Sequence, residues 1–202
     1  MDRVAFSSWN GKVVDNRKGK ASKKADVSFP KPSGKYKALM GWNGLVVMDP
    51  KADVLSLTLN YLKETRKISC GECSVCMIGI DKLLDMFELM TEGIADKAIL
   101  PEIEKIVREV SDNAKCAFGQ SALFPVLDAV KHFRNDFLDL LKGEKKLGTN
   151  QYETAVTAPC MEACPASLDI PGYIELIRNN KFEDSLNVIR KNCILPGVVG
   201  RV

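Results

Sequence analysis

Residues 67–79 read KISCGECSVCMIG and bring Cys70, Cys73 and Cys76 close together, with Gly71 after the first. Three thiols at this spacing let one loop wrap a single metal centre, and the glycine frees the backbone to approach it. Helical periodicity flanks the loop on both sides. Upstream, Val54, Leu55, Leu59 and Leu62 share one face, with Asp49-Pro50 as the expected helix start. Downstream, Ile80, Leu83, Leu84, Phe87 and Met90 do the same until Gly93. Pro101 opens a further helix through Ile103, Ile106, Val107 and Val110, and Ser121 to Leu141 reads as one long helix. Helices of this length are unstable alone, so they are expected to cover one another in a small bundle. Only GLVVMD, residues 44–49, reads as a strand, and the predicted fold is mainly α.

A fourth thiol stands apart. Cys116 lies in NAKCAFGQSALFP, between two predicted helices and ahead of a turn glycine and the Ser121 cap. Two chemistries suit Cys70, Cys73, Cys76 and Cys116. Structural zinc usually draws two separated pairs of ligands, whereas an x2, x2 triplet plus one remote cysteine suits the corners of an iron–sulfur cube, and the spacing favours the cube. An all-thiolate set also suits soft iron. Seven cysteines cannot all pair. The N-terminus has no apolar run of signal-peptide length, and charges break every later apolar stretch. These features predict a cytoplasmic chain with reduced thiols and no membrane insertion. His132, the only histidine, is expected to sit half exposed on the long helix without a chemical role. Met77, Met86 and Met90 read as core.

Composition separates the first forty residues from the rest. The 202-residue chain carries a net charge of +3. Residues 1–40 hold ten Lys/Arg against three Asp, net +7, and the remainder is net −4. Breaker-rich stretches such as GKVVDNRKGKASKKAD predict a basic arm, extended or partly disordered, that docks on a partner. No nucleic-acid motif accompanies the charge, so nucleic acid is not the expected partner.

The segment GWNGLVVMDPKADVLSLTLNYLKETRKISCGECSVCMIG, followed by CAFGQSALFPVLDAVKHFRNDF, resembles the C-terminal helical domain of the NADH-binding flavoprotein subunit of respiratory complex I and its hydrogenase and formate dehydrogenase relatives. The likeness covers roughly residues 41–140, within an expected helical domain of residues 41–142. It implies that Cys70, Cys73, Cys76 and Cys116 hold one [4Fe–4S] cluster. That family's flavin-mononucleotide and NADH domain would lie upstream, where only the basic arm stands, and its Pro-Cys-Arg is replaced by Val75-Cys76-Met77.

A polar linker, residues 143–157, leads to TAPCMEACPASLDIPGYIELIRNNKFEDSLNVIRKNCILPGVVGRV. Here C-x3-C-P precedes one helix opened by Asp169 and Pro171 and another from about Lys181 to Lys191. Residues 158–202 resemble the N-terminal iron–sulfur domain of glutamate synthase small subunits and dihydropyrimidine dehydrogenase. That resemblance implies Cys160 and Cys164 as ligands of a further cluster, for which this stretch holds a partial set. Cys193 reads either as a small buried thiol or as a further ligand. The expectation is that the polypeptide continues beyond Val202, or that a partner completes the site.

Together the two halves resemble the beginning of a glutamate-synthase-like NAD(P)H oxidoreductase beta subunit of the soluble iron(III)-reductase type. The implied function is single-electron relay between a flavin domain and a partner subunit or acceptor of a redox complex. No G-x-G-x-x-G fingerprint accompanies the cysteines, so FAD and NAD(P)H are expected beyond residue 202 or on a partner, and no catalytic residue is assigned. The competing reading is a non-enzymatic, zinc-stabilised helical interaction module.

Overall fold

Asn10 and Gly11 both take the left-handed backbone, with φ of 50° and 74°, as a two-residue hairpin turn between right-twisted strands requires. In the computed structural model they join β1 (Phe6–Trp9) to β2 (Lys12–Asp15). A second hairpin joins β3 (Ala38–Gly41) to β4 (Gly44–Val47). The strands form one antiparallel sheet in the order β2-β1-β4-β3, with Phe6 opposite Asp15 and Val47, and Ala38 opposite Val47. The structure describes residues 4–17, 37–42, 44–148, 164–166 and 168–201.

This sheet corrects two expectations. The fold is helical but carries a four-stranded sheet, and residues 4–17 of the expected irregular arm are a hairpin inside it. Residues 18–36 lie outside those described. The hairpin holds because alternate side chains find opposite apolar surfaces. Phe6, Ala38, Met40, Leu45 and Val47 enter the main core, while Trp9, Leu39 and Val46 join Val4 in a smaller cluster.

The helices cover the first face. Asp53 caps α1 (Val54–Ile68), accepting from the Leu55 and Ser56 amides, so the helix starts after the Asp49-Pro50 turn and not on it. The Asp53 carboxylate also accepts from the Ser56 hydroxyl and the Gly148 amide, tying residue 148 to the first turn of α1. α2 (Ser74–Thr91) and α3 (Ile99–Asn113) cross where Gly79 meets Val110. A Cβ at residue 79 would stand 2.2 Å from Val110 Cγ2, so only glycine permits this approach. α3 presents Leu100, Ile103, Ile106, Val107 and Val110 to the core, and each fully buried aliphatic side chain contributes about 1.5–3 kcal/mol.

The single long helix expected over 121–141 is instead three pieces: α4 (Ala117–Ser121), α5 (Phe124–His132) and α6 (Arg134–Leu141). Pro125 occupies the first turn of α5, the position that tolerates a missing N–H. Phe133 leaves the helical conformation at φ −120° and ψ 28°. Its ring packs edge-on against Phe6, 5.0 Å between centroids, and the Arg17 guanidinium lies 4.4 Å over it. The break in the helix therefore seats the hairpin.

By chain contacts, residues 1–156 and 157–202 form separate compact units. In the second, α7 (Ile170–Arg178) and α8 (Phe182–Arg190) pack together. Asp169 Oδ1 accepts from the Gly172 amide at the start of α7, and the Ser185 hydroxyl donates to Tyr173 O across the pair. A short α9 (Pro196–Val199) follows.

Candidate metal centre

Cys70 lies in the loop after α1, Cys73 is the N-cap of α2, and Cys76 stands in its first turn. Cys116 is the N-cap of α4. Gly71, at φ +78°, supplies the reversal that turns the loop into α2. The Lys115 amide, next to Cys116, donates to Cys73 Sγ at 3.4 Å, which holds the remote cysteine against the triplet. The Gly119 amide donates to Cys116 Sγ at 3.5 Å. Ser69 Oγ lies 4.0 Å from Cys76 Sγ.

Burial pushes the Cys76 thiol above its ordinary value. The Ser69 contact pulls it down, and the charges of Cys116, Cys73 and Cys70 each push it up. The four thiols therefore share one electrostatic site, formed by a loop from below and a helix end from above. Their burial is uneven. Cys73 and Cys76 are each 7% exposed, whereas Cys70 and Cys116 face solvent. One side of the site is dry and the other is open.

The residues fit a thiolate-bound cluster. All four donors are sulfur, the six described cysteines are reduced thiols, and backbone N–H groups already aim at two sulfurs, as cluster sites require to moderate their charge. Among the described residues, no three His, Cys, Asp or Glu side chains are grouped closely enough to hold a single metal ion, so the four thiols stand wider apart than a mononuclear site requires. Nearby, Arg66 at the end of α1 bonds to both carboxylate oxygens of Asp81 on α2. Its charge acts on Cys76 as well as on Asp81.

Two contributors escape a motif reading. Gly119 stands not in a turn but inside α4, where a Cβ would come 2.6 Å from Ala114 Cβ and 3.6 Å from Cys76 Sγ. Ser121 caps nothing; its hydroxyl donates to Ala117 O. The spacing C-A-F-G was the available signal for Gly119, since helix interiors disfavour glycine unless something presses close. His132 ends α5 half-buried, its ring 5.0 Å from that of Phe6, and burial holds its pKa below the usual value.

In the second unit Cys164 is partly buried ahead of α7, and Cys193 is 8% exposed after α8, its amide bonded to Ile189 O. Cys160 lies outside the described residues.

With this geometry in hand, the comparisons with known proteins become specific. Residues 56–140 match the NADH-ubiquinone oxidoreductase-F iron–sulfur binding region. Residues 152–202 match dihydropyrimidine dehydrogenase domain II, a 4Fe–4S cluster domain. The chain is a tandem of these two iron–sulfur domains. The NADPH-Fe(3+) oxidoreductase subunit beta of Geobacter sulfurreducens is 42% identical over 209 residues, covering 100% of this chain and 31% of that protein. The NADP(+)-dependent formate dehydrogenase subunit beta of Moorella thermoacetica is 30% identical over 239 residues, covering 100% of this chain and 34% of the relative. The NADP-reducing hydrogenase subunit HndC of Solidesulfovibrio fructosivorans is 30% identical over 118 residues, 58% of this chain and 24% of that subunit. The tandem spans about a third of the length of the first two relatives.

Proposed function

We propose that this tandem is the electron-carrying segment of an NAD(P)H-dependent oxidoreductase, relaying single electrons between a flavin domain and a partner subunit or acceptor. The observation that supports it most is the convergence of Cys70, Cys73, Cys76 and Cys116 at one end of the helical core, within a region matching an oxidoreductase iron–sulfur domain. In this reading those four residues hold one [4Fe–4S] cluster. Cys160 and Cys164 belong to a further cluster, and Cys193 is a buried thiol or an additional ligand of it. A bound cluster supplies reversible one-electron chemistry.

The chain's own residues do the rest. Cys73 and Cys76 keep the inner side free of water, which strengthens the pull of nearby dipoles and charges. The Lys115 and Gly119 amides stabilise negative charge on sulfur without a side chain that can titrate. Cys70 and Cys116 leave an open edge where a redox partner can approach. FAD and NAD(P)H belong elsewhere in the oxidoreductase, and the partners are its other subunits. Among the described residues no helix is long and apolar enough to cross a membrane, and a cytoplasmic location fits the reduced thiols.

The test is to mix the anaerobic full-length oxidoreductase with NADPH and follow low-temperature electron paramagnetic resonance. Parent protein should develop a cubane-type signal assigned to these four ligands, and Cys73→Ala should lose that signal while keeping flavin reduction. An unchanged signal in the variant refutes the assignment.

A further inference from the structure

Ala114 and Lys115 share a peptide group that touches the thiols on one side and a side chain on the other. Its N–H donates to Cys73 Sγ at 3.4 Å, and its carbonyl accepts from the Gln120 carboxamide nitrogen at 3.0 Å. A carbonyl can only accept, so the nitrogen end of the carboxamide must face it. Local structure explains the reach. Ala114, the C-cap of α3, takes an extended backbone at ψ 143°, and its carbonyl therefore needs a partner outside the helix. α4 brings Gln120 back to it: the Gln120 amide donates to Cys116 O at 3.0 Å, and the Ser111 hydroxyl donates to Gln120 O at 2.7 Å.

The two bonds on this peptide act in series. A donor at the carbonyl draws electron density toward oxygen and makes the N–H of the same group a stronger donor. Ala114 is 4% exposed although Gln120 reaches it from the surface, so its carbonyl has few alternatives to that side chain. A firmer N–H bond on a ligand sulfur stabilises the more negative, reduced state of a cluster and so raises its potential.

We infer that Gln120 is a positioning residue of the first site: its carboxamide holds the Ala114–Lys115 peptide with the N–H on Cys73 Sγ, and thereby raises the potential of the cluster that the thiols hold. This role rests on the [4Fe–4S] reading of Cys70, Cys73, Cys76 and Cys116. Gln120 acts through the peptide and touches no sulfur itself. A side chain that only braced the turn between α3 and α4 would affect stability and iron content while leaving the potential of the loaded protein where it was.

Two neutral variants remove the bond in different ways. Gln120→Met keeps the length of the side chain and loses the donor; Gln120→Asn keeps the carboxamide and withdraws it by one methylene. In the full-length oxidoreductase, potentiometric titration of the paramagnetic resonance signal that Cys73→Ala abolishes should give a more negative midpoint in both. The expected size is about threefold in the reduced-to-oxidised ratio at a fixed potential, or about 30 mV for one electron. Ser111→Ala breaks the neighbouring tie to Gln120 O but spares the carboxamide, so its midpoint should match the parent. An unmoved or more positive midpoint in the Gln120 variants, or an equal shift in Ser111→Ala, overturns the role. A second measurement needs only the parent: labelling with [α-¹⁵N]lysine should add a ¹⁵N coupling from the Lys115 amide to the same signal, and its absence overturns the role even where a variant fails to hold its cluster. A parent with no cubane signal overturns the cluster reading together with this one, whereas a parent signal with unmoved midpoints overturns this one alone.

Discussion

Replacing Gly119 by alanine adds one methyl group at the point where α4 closes over the thiols. The new Cβ would lie 2.6 Å from Ala114 Cβ, on the chain that leads into Cys116, and 3.6 Å from Cys76 Sγ. The second distance is an ordinary contact; the first is more than an ångström too short. α4 must therefore slide away from Ala114 and carry its N-cap, Cys116, with it. Overpacking of this kind costs about 1–3 kcal/mol, while alanine's better helix propensity returns at most about 1 kcal/mol. With the full return the net loss is up to about 2 kcal/mol, a fall in Tm of up to roughly 8 °C for a unit of this size. The displaced sulfur should lower iron occupancy beyond what the stability loss explains. Anaerobic purification, iron and sulfide analysis and a thermal melt measure both effects. Adding Ala114→Gly removes the clashing methyl and should restore iron content. Parent-like iron and Tm in Gly119→Ala, or no rescue by the second change, would refute the reasoning.

Three further outcomes follow from other contacts. Asp53→Ala strips the cap of α1 and removes the acceptor of the Gly148 amide, so urea unfolding should show a loss of about 1–2 kcal/mol, with Asp53→Asn losing less. Arg66→Gln should lower the midpoint potential of the first cluster and Asp81→Asn should raise it, with the double variant close to parent, because Arg66 interacts with Cys76 and Asp81 is paired to Arg66 with the opposite charge; potentiometric titration showing shifts of the same sign would count against this. In cluster-free protein the raised pKa of Cys76 means the unfolded chain ionises first, so stability should be present below the ordinary value of 9.0 and decline as pH rises past it. Loading the cluster should abolish that decline, as urea midpoints on either side of this pH would show.

The helical half was legible because α1, α2 and α3 each carry a clear 3.6-residue stripe. The hairpin of residues 6–15 was not. The lysines after Arg17 dominate the charge of the first forty residues and mask a strong local signal, Asn10-Gly11 between alternating side chains. The break at Phe133 could not be read from periodicity either. It arises from a tertiary contact, the stacking of Phe133 with Phe6 and Arg17, residues more than a hundred positions apart. Gly119 and the Lys115 amide were hidden because backbone donors and the space an absent side chain leaves have no residue-type signature. The four thiols were found by spacing, but their uneven burial emerges only when α2 and α4 are packed.

The most direct test of the account is the iron and acid-labile sulfide content of the full-length oxidoreductase with Cys116→Ser, set beside the parent and a Ser111→Ala control. If Cys116 closes the first site, the variant should lose about four irons per chain relative to the parent, together with the corresponding reduced-state signal, while the control keeps both. Parent-level iron with an unchanged spectrum, or zinc in place of iron in the parent, would contradict the claim that Cys70, Cys73, Cys76 and Cys116 hold a [4Fe–4S] cluster.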